Sequence, residues 1–557
     1  MRLTMPASCR QFGPVCIMQQ IDVLELASRP RPPTVIKTCP MIASEPAASE
    51  TSFRNRGLKT TKQAHIDASS TLCFSNEALE TVLTKMVIIV PCKDENPKTI
   101  RSVLSGIPAD CAVVLVSNCA DGYDALSDVL QAVCRYGREA VLVHQKYQGA
   151  AAAFKAVGVP ELLESPPAVE RIRDGKGEGM YLGIAVARTF FPEREYVGFV
   201  DADNQVPGSV NEYCRVYAAG FNLSHHYMDA GEEQVMVRIS WKSKPKVRGG
   251  QISYEEPEGR SSKVVNSWLN RLFAKPFGDE SKFITTGNAG EHAMTMNMAL
   301  SSRWANGYAI ETYQFMDPFL RPASHSGRVD GQIRDNSSVT SDNDGTVSDS
   351  DTDSGISIDS TSSFDDTELI DDLTFELGDV ENNYDLARPT HADQCATVGG
   401  TPVGGTPERV SYMDRVVGVS EPLGNGQVAA GFKDGQQGRT GKSVRILQIK
   451  TLNPHFHRQG DDLHILRMWA AGLGAIWHNL TAGTVIPGID RSTIEEIRSE
   501  MVEYAMQEGG LAVEEELPRP RVYPSMDHVD FDTFKKIITH HRYRKGFGAP
   551  LFFGVNN

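Results

Sequence analysis

Three short aliphatic runs, residues 85–90, 112–118 and 140–146, constrain the fold more than any other feature. Residues 85–90 and 112–116 are almost continuously apolar and rich in Val and Ile, so neither side of such a strand can face water. Each run ends in polar residues, and the first two are followed by stretches with helical spacing, predicted at 97–105 and 123–136. Strand, loop and helix in succession predict an α/β layer with a parallel sheet covered on both faces. Ligands of such sheets bind outside the carboxyl ends of the strands. On this register Lys93, Asp94, Glu95, Ser117, Asn118, Gln145 and Lys146 share one rim, although loops are polar in any protein.

A fourth run, residues 195–200, ends in Asp201-Ala202-Asp203-Asn204. Residues i and i+2 of a regular strand point to one face, so Asp201 and Asp203 can converge on a hard divalent cation. A solvated strand end or a helix cap reads the same way. Before it, Arg173-Asp174-Gly175-Lys176-Gly177-Glu178-Gly179 leads into a helix predicted at 181–189. Flexible glycines, unpaired helix N–H groups and a lysine suit a diphosphate. The pattern is not a P-loop, because no Ser or Thr follows Gly-Lys at the required spacing.

Farther along, a strand is predicted at 234–241 and a basic run follows it, with Arg238, Lys242, Lys244, Lys246 and Arg248. Most of these suit a solvated strand and loop; an acidic substrate nearby is the sharper reading. Gly259-Arg260-Ser261-Ser262 precedes a helix predicted at 264–273, placing a guanidinium fork and hydroxyls near its start. Residues 285–294 form a small, polar loop expected to open another helix, with Glu291 and His292 available for hydrogen bonds. After a strand predicted at 443–450, His455 and His457 flank Phe456, an imidazole pair compatible with a metal and often incidental.

The formal net charge of −15 is local: residues 326–386 carry 17 acidic and two basic side chains, so the rest of the chain is about neutral. That balance argues against nucleic-acid binding, which shows as a concentrated basic patch. The ten cysteines form no Cys-x-x-Cys pair, which suits free thiols in a reducing compartment. No run of 18 apolar residues and no secretory leader is present, so the expectation is a soluble cytoplasmic protein with no membrane partner. The expected layout is an N-terminal strand, short helix and linker (1–82), a ligand-binding core (83–322), an acidic then Gly/Pro-rich disordered insertion (323–442), and a C-terminal part of mainly helical segments (443–557).

Together these motifs resemble mannosyl-3-phosphoglycerate synthase. The resemblance rests on Met1-Arg-Leu-Thr-Met-Pro with Gln11-Phe-Gly13, Val90-Pro91-x-x-x-Glu95, Val103-Leu-Ser-Gly-Ile-Pro108 and His144-Gln-Lys146. It continues in Gly175-Lys-x-Glu-Gly-Met180, Tyr196-Val-Gly-Phe-Val-Asp-x-Asp-Asn204, Gly259-Arg-x-Ser262, Asn288-Ala-Gly-Glu-His-Ala-Met294 and Asn453-Pro-His-x-His457. It covers most of residues 1–28, 83–322 and 443–480. It implies a GT-A fold with a mixed, mostly parallel sheet, and retaining transfer of mannose from GDP-mannose to 3-phosphoglycerate.

Carried over residue by residue, Pro91, Cys92, Lys93, Glu95 and Ser117 would line the guanosine and ribose pocket, and Lys176 would reach the diphosphate. Asp203 would bind a divalent metal, Mg2+ or Mn2+ with Co2+ also compatible, helped by His455 or His457, with Asp201 beside it. Arg260, Ser262, Asn288 and His292 would meet the acceptor. Asp201, Asp203, Lys176 and Glu291 are the catalytic candidates, Glu291 being the one carboxylate to test as a nucleophile. Cys92 stands where a small polar residue is expected. A homodimer is compatible with all of this. Two alternatives remain: a glucosyl-3-phosphoglycerate synthase, and a non-catalytic scaffold acting through the acidic insertion.

Overall fold

Strands apolar on both sides need cover on both sides, and the computed structural model provides it. It describes residues 1–4, 7–20, 24–25, 71–135, 137–164, 170–227, 234–248, 251–253, 259–274, 282–320, 444–456, 462–480, 486, 489–509, 517–540 and 548–554. All of them fall in one unit built from residues 1–326 and 438–557. The expected linker, the acidic insertion and His457 lie outside the described residues.

Among the described residues, ten strands form one sheet. In chain order they are β1 (Ala7–Phe12), β2 (Val15–Gln20), β3 (Met86–Cys92), β4 (Ala112–Ser117), β5 (Ala140–His144), β6 (Tyr196–Phe199), β7 (Gln234–Ser240), β8 (His292–Thr295), β9 (Val444–Lys450) and β10 (Leu551–Phe553). Their order across the sheet is β10-β5-β4-β3-β6-β8-β7-β9-β2-β1. The pairings β5–β4, β4–β3, β3–β6, β7–β9 and β9–β2 are parallel, and the others antiparallel. The α/β class with a mixed, mostly parallel sheet is the one expected.

Helices cover both faces. Val87 and Ile89 of β3 pack in a core with helix α3 (Lys176–Phe190), while Met86, Ile88 and Val90 pack with α1 (Pro97–Gly106), α2 (Tyr123–Val133) and α4 (Pro207–Tyr227). Residues 86–90 are all 0% exposed. Each such side chain contributes about 1.5–3 kcal/mol, which fixes the strand's place. Asn96 caps α1 by accepting from Lys98 N–H, with Pro97 opening the helix. Helices α5 (Arg260–Ala274), α6 (Ala309–Leu320) and α7 (Asp462–Asn479) pack on the α3 face.

Three expectations are corrected. Among the described residues of the stretch 15–26 there is no short helix: Val15–Gln20 pairs in register with Val444–Ile449, so sheet pairing prevails over local spacing. Residues 292–295, read as part of a loop, form β8 and lie between β6 and β7. The last 75 residues or so are not helices alone: β10 extends the sheet antiparallel to β5, and Val522–Tyr523 pairs with Trp304–Ala305. No helix among the described residues is long and apolar enough to cross a membrane.

Candidate active site

The ladder of β6 ends at Phe199, so Asp201 and Asp203 sit in the turn after the strand rather than on it. Buried Ala202 separates them, and both carboxylates are partly exposed. The strand argument for their convergence therefore does not apply; the turn carries them to the same rim. The first residue of α3 lies opposite. Lys176 Nζ is 2.6 Å from Asp201 Oδ1 and 2.7 Å from Glu311 Oε1, Glu311 belonging to α6. Burial alone would lower its pKa, but Asp201 and Glu311 outweigh burial and hold the ammonium well above its usual range. Gly290 fits against this pair, and any side chain there would collide with the Asp201 carboxylate and the Lys176 ammonium.

Glu291 is wholly buried, and among the described residues neither carboxylate oxygen has a hydrogen-bond partner. Burial first, then Asp201, pushes its pKa well above the usual carboxylate range, which favours the protonated acid. His455 Nδ1 lies 3.5 Å from its Oε1. The loop carrying His455 is held by α4: Glu212 accepts from the N–H groups of Leu452 and Asn453 at 2.6 and 2.9 Å, and Ser209 Oγ donates to the Pro454 carbonyl at 2.8 Å. Tyr213 Oη lies 3.1 Å from His455 Nδ1, and the imidazole lies tilted against Trp241 with ring centres 4.9 Å apart. Lys244 Nζ sits 3.7 Å from the centre of the Trp241 ring.

The acceptor candidates separate. Arg260 opens α5 and is partly exposed. Buried Ser262 donates to the Asn288 carbonyl at 3.4 Å, while the Asn288 side chain accepts from Thr312 at 3.1 Å and donates to Ser261 at 3.4 Å. His292 lies inside the protein, beneath the loop that was expected to meet the acceptor. Its ring has no exposed surface, lies tilted against Phe199 with ring centres 4.8 Å apart, and its Nδ1 lies 2.9 Å from the Gly290 carbonyl. It supports the loop from inside the sheet. Arg238, read among solvated bases, is also fully buried and donates to the carbonyls of Thr286, Ala289 and Glu311.

The donor candidates line the ends of β3 and β4. Lys93 is exposed, Pro91 and Glu95 partly so, and Cys92 and Ser117 are buried. Glu95 accepts from Lys93 N–H, and burial raises its pKa to about 7 despite that bond. Lys146 is engaged by Glu164 and Asp174 at 2.6 and 3.0 Å, so it braces the rim.

Among the described residues no three His, Cys, Asp or Glu side chains form a group able to hold a metal ion. Asp203 acts on the Glu291 carboxyl through its charge, and His455 Nδ1 lies 3.5 Å from that carboxyl. One carboxylate and one imidazole suit a divalent ion whose other donors come from a ligand and water. Sequence reasoning missed Glu311, Glu212, Tyr213 and the pinning role of Arg238. They lie inside helices or a strand, where nothing in local spacing separates a buried polar residue from a surface one.

The family model described as mannosyl-3-phosphoglycerate synthase matches residues 5–538. Mannosyl-3-phosphoglycerate synthase of Pyrococcus furiosus is 39% identical over 245 residues, 43% of this chain and 59% of that protein. The match thus spans under two thirds of that relative. The Aeropyrum pernix protein of the same name is 32% identical over 321 residues, 57% of this chain and 71% of the relative. Glucosyl-3-phosphoglycerate synthase of Mycobacterium tuberculosis, solved with Mn2+, UDP-glucose and phosphoglyceric acid, is 18% identical over 44% of this chain and 70% of its own, with a TM-score of 0.29. With a match from residue 5 to residue 538, the chain belongs to the mannosyl-3-phosphoglycerate synthase family.

Proposed function

We propose that the protein is a retaining glycosyltransferase that moves mannose from GDP-mannose to the free hydroxyl of 3-phosphoglycerate. The observation that carries this reading is the cluster on one rim: Lys176 in contact with both Asp201 and Glu311, Glu291 under the charges of Asp201 and Asp203, and His455 Nδ1 3.5 Å from Glu291.

In this reading Glu95 and the β3 and β4 ends take the guanosine, a carboxylate being suited to accept paired N–H groups of a base edge. Lys176, kept charged by its two carboxylates, faces the diphosphate and stabilises the negative charge that grows as the glycosidic bond loosens. Asp203 and His455 would hold a divalent cation, which when bound supplies further positive charge to the leaving group. Arg260 receives the acceptor's phosphate or carboxylate through its planar fork.

Glu291 bears on stereochemistry. A buried carboxyl held protonated is a poor nucleophile, so retention is better served by attack of the acceptor hydroxyl on the face the diphosphate leaves, with proximity supplying much of the rate. A trapped mannosyl adduct on Glu291 overturns this.

Purified protein is incubated with 3-phosphoglycerate and either GDP-mannose or UDP-glucose, with and without EDTA, and products are read by NMR and mass spectrometry. The expected result is GDP and an α-linked mannosyl product, lost with EDTA. Transfer from UDP-glucose alone makes it a glucosyl enzyme, and no transfer from either donor sinks the enzymatic reading.

A further inference from the structure

Cys92 departs from the small polar residue expected in the donor pocket, and its setting gives the departure a partner. Cys92 closes β3 in register with Ser117 of β4, and Asn118 N–H donates to the Cys92 carbonyl at 2.8 Å. Cys119 follows directly. Both thiols belong to one buried cluster at the adjoining ends of β3 and β4, and each perturbs the other. Neither is in a disulfide, and they are 4% and 5% exposed.

Cys119 also holds the loop. Its Sγ accepts the Asp94 N–H at 3.2 Å, and the Asp94 carboxylate accepts from Ala120 N–H at 3.3 Å. Asp94 has φ of 60°, the one positive value of a non-glycine among the described residues. Such a residue persists where its surroundings over-determine it, at a cost of roughly 1 kcal/mol or more. Here the clamp is the sulfur and the Ala120 amide. Asp94 lies between Lys93 and Glu95, so Cys119 sets the shape of the β3–α1 loop.

We propose that Cys92 and Cys119 are an oxidisable dithiol in the donor pocket, and that a peroxide closes them into a disulfide that releases the β3–α1 loop and weakens nucleotide binding. The loss of nucleotide binding rests on the reading of this loop as the donor site; the disulfide does not.

The chemistry balances. Cys119 thiolate attacks one peroxide oxygen, forming a sulfenic acid and releasing the other oxygen as water. The Cys92 sulfur then attacks the sulfenic sulfur, expelling a second water. Two thiols lose two electrons and the peroxide gains them. Cys119 suits the attacking role: the Cys92 thiol first and then the Ser117 and Asp94 donors, against burial, bring its thiol to about 6, so the thiolate prevails at neutral pH. Oxidation removes that negative charge, and the sulfur ceases to be a strong acceptor for Asp94 N–H.

Full-length protein, reduced or treated with hydrogen peroxide, is mapped by non-reducing peptide mass spectrometry and titrated with GDP by calorimetry. The expected oxidised product is a peptide pair joined through Cys92 and Cys119, two hydrogens lighter than the reduced pair. GDP dissociation should rise about tenfold, the worth of a charge-assisted hydrogen bond, and dithiothreitol should restore it. Cys9 and Cys16, whose sulfurs lie 3.0 Å apart on the β1–β2 hairpin at the far edge of the sheet, serve as an internal reference. If Cys9 and Cys16 couple while Cys92 and Cys119 do not, the site is refuted. If Cys92 and Cys119 couple with GDP affinity unchanged, loop control is refuted. In Cys119→Ser the ratio of oxidised to reduced affinity should be one; a remaining loss would assign the effect to another thiol and overturn the proposal. Reduced wild-type protein that binds no GDP refutes the donor reading, and with it loop control, whatever the peptide map gives.

Discussion

Lys176 sits between two carboxylates of unequal exposure: its own side chain is 17% exposed, Asp201 26% and Glu311 4%. Removing the cation therefore hurts Glu311 most, because a buried carboxylate left alone costs about 3–5 kcal/mol. Lys176→Ala should lower the melting temperature and reduce kcat by roughly two to three orders of magnitude. Adding Glu311→Gln should recover most of the stability and none of the rate. Recovery of both in the double variant would show that Lys176 has no part in the chemistry. Glu95 gives a second prediction at this scale. Burial raises its pKa to about 7, against two backbone bonds that lower it, so below that pH the carboxyl is protonated in the free enzyme. If the carboxylate receives the base, kcat/KM for GDP-mannose should climb as pH rises from 6 and flatten above about 8. In Glu95→Gln that limb should vanish, leaving a low, flat profile; a limb that survives belongs to another group.

Between residue and fold stands the segment Leu452–Phe456, which carries His455 and has no regular structure of its own. Helix α4 supplies the order it lacks through Glu212 and Ser209, and the Gln205 N–H just before that helix donates to the Phe456 carbonyl. Glu212→Gln turns an amide NH2 toward one of two backbone N–H groups and leaves that group unpaired, at about 1–3 kcal/mol. Mn2+ binding followed by electron paramagnetic resonance should weaken toward the level of His455→Ala, while GDP binding without metal stays unchanged. Unaltered Mn2+ affinity would make the clamp purely architectural. The same scale shows what was legible. β3, β4 and β5 were readable because their residues are apolar on both sides, and only a doubly covered strand tolerates that. β8 was not, since His292–Thr295 is short and follows polar residues that are buried by tertiary contacts from Arg238, Asn266 and Gln448. Asp201, Asp203 and Lys176 were legible as motifs at element ends. Glu212 and Glu311 were not, because their partners lie 240 and 135 residues away in sequence.

Across the whole molecule, the sheet is closed by strands far apart in sequence: β9 joins β7 on one side and β2 on the other, and β10 pairs with β5. Parts of the chain treated separately as N-terminal, core and C-terminal regions thus share one sheet, and residues 327–437 lie outside the described residues. The acidic residues concentrate in that same stretch. Closing a shorter connection costs less entropy, by only about 0.6 kcal/mol for each halving of length, so removing this stretch should not disturb β9. Replacing 327–437 with a flexible Gly/Ser linker, long enough to leave Val444 free to pair with Val15 and Gln234, is expected to leave the melting temperature within a few degrees and kcat/KM for mannosyl transfer within about threefold. The formal charge of the remainder falls near zero, so lower solubility is the expected side effect. Asp203→Ala in the full-length chain should do the reverse, abolishing transfer with the insertion intact. The opposite pair of outcomes, transfer lost with the insertion and kept without Asp203, would place function in the acidic segment and make the sheet its support.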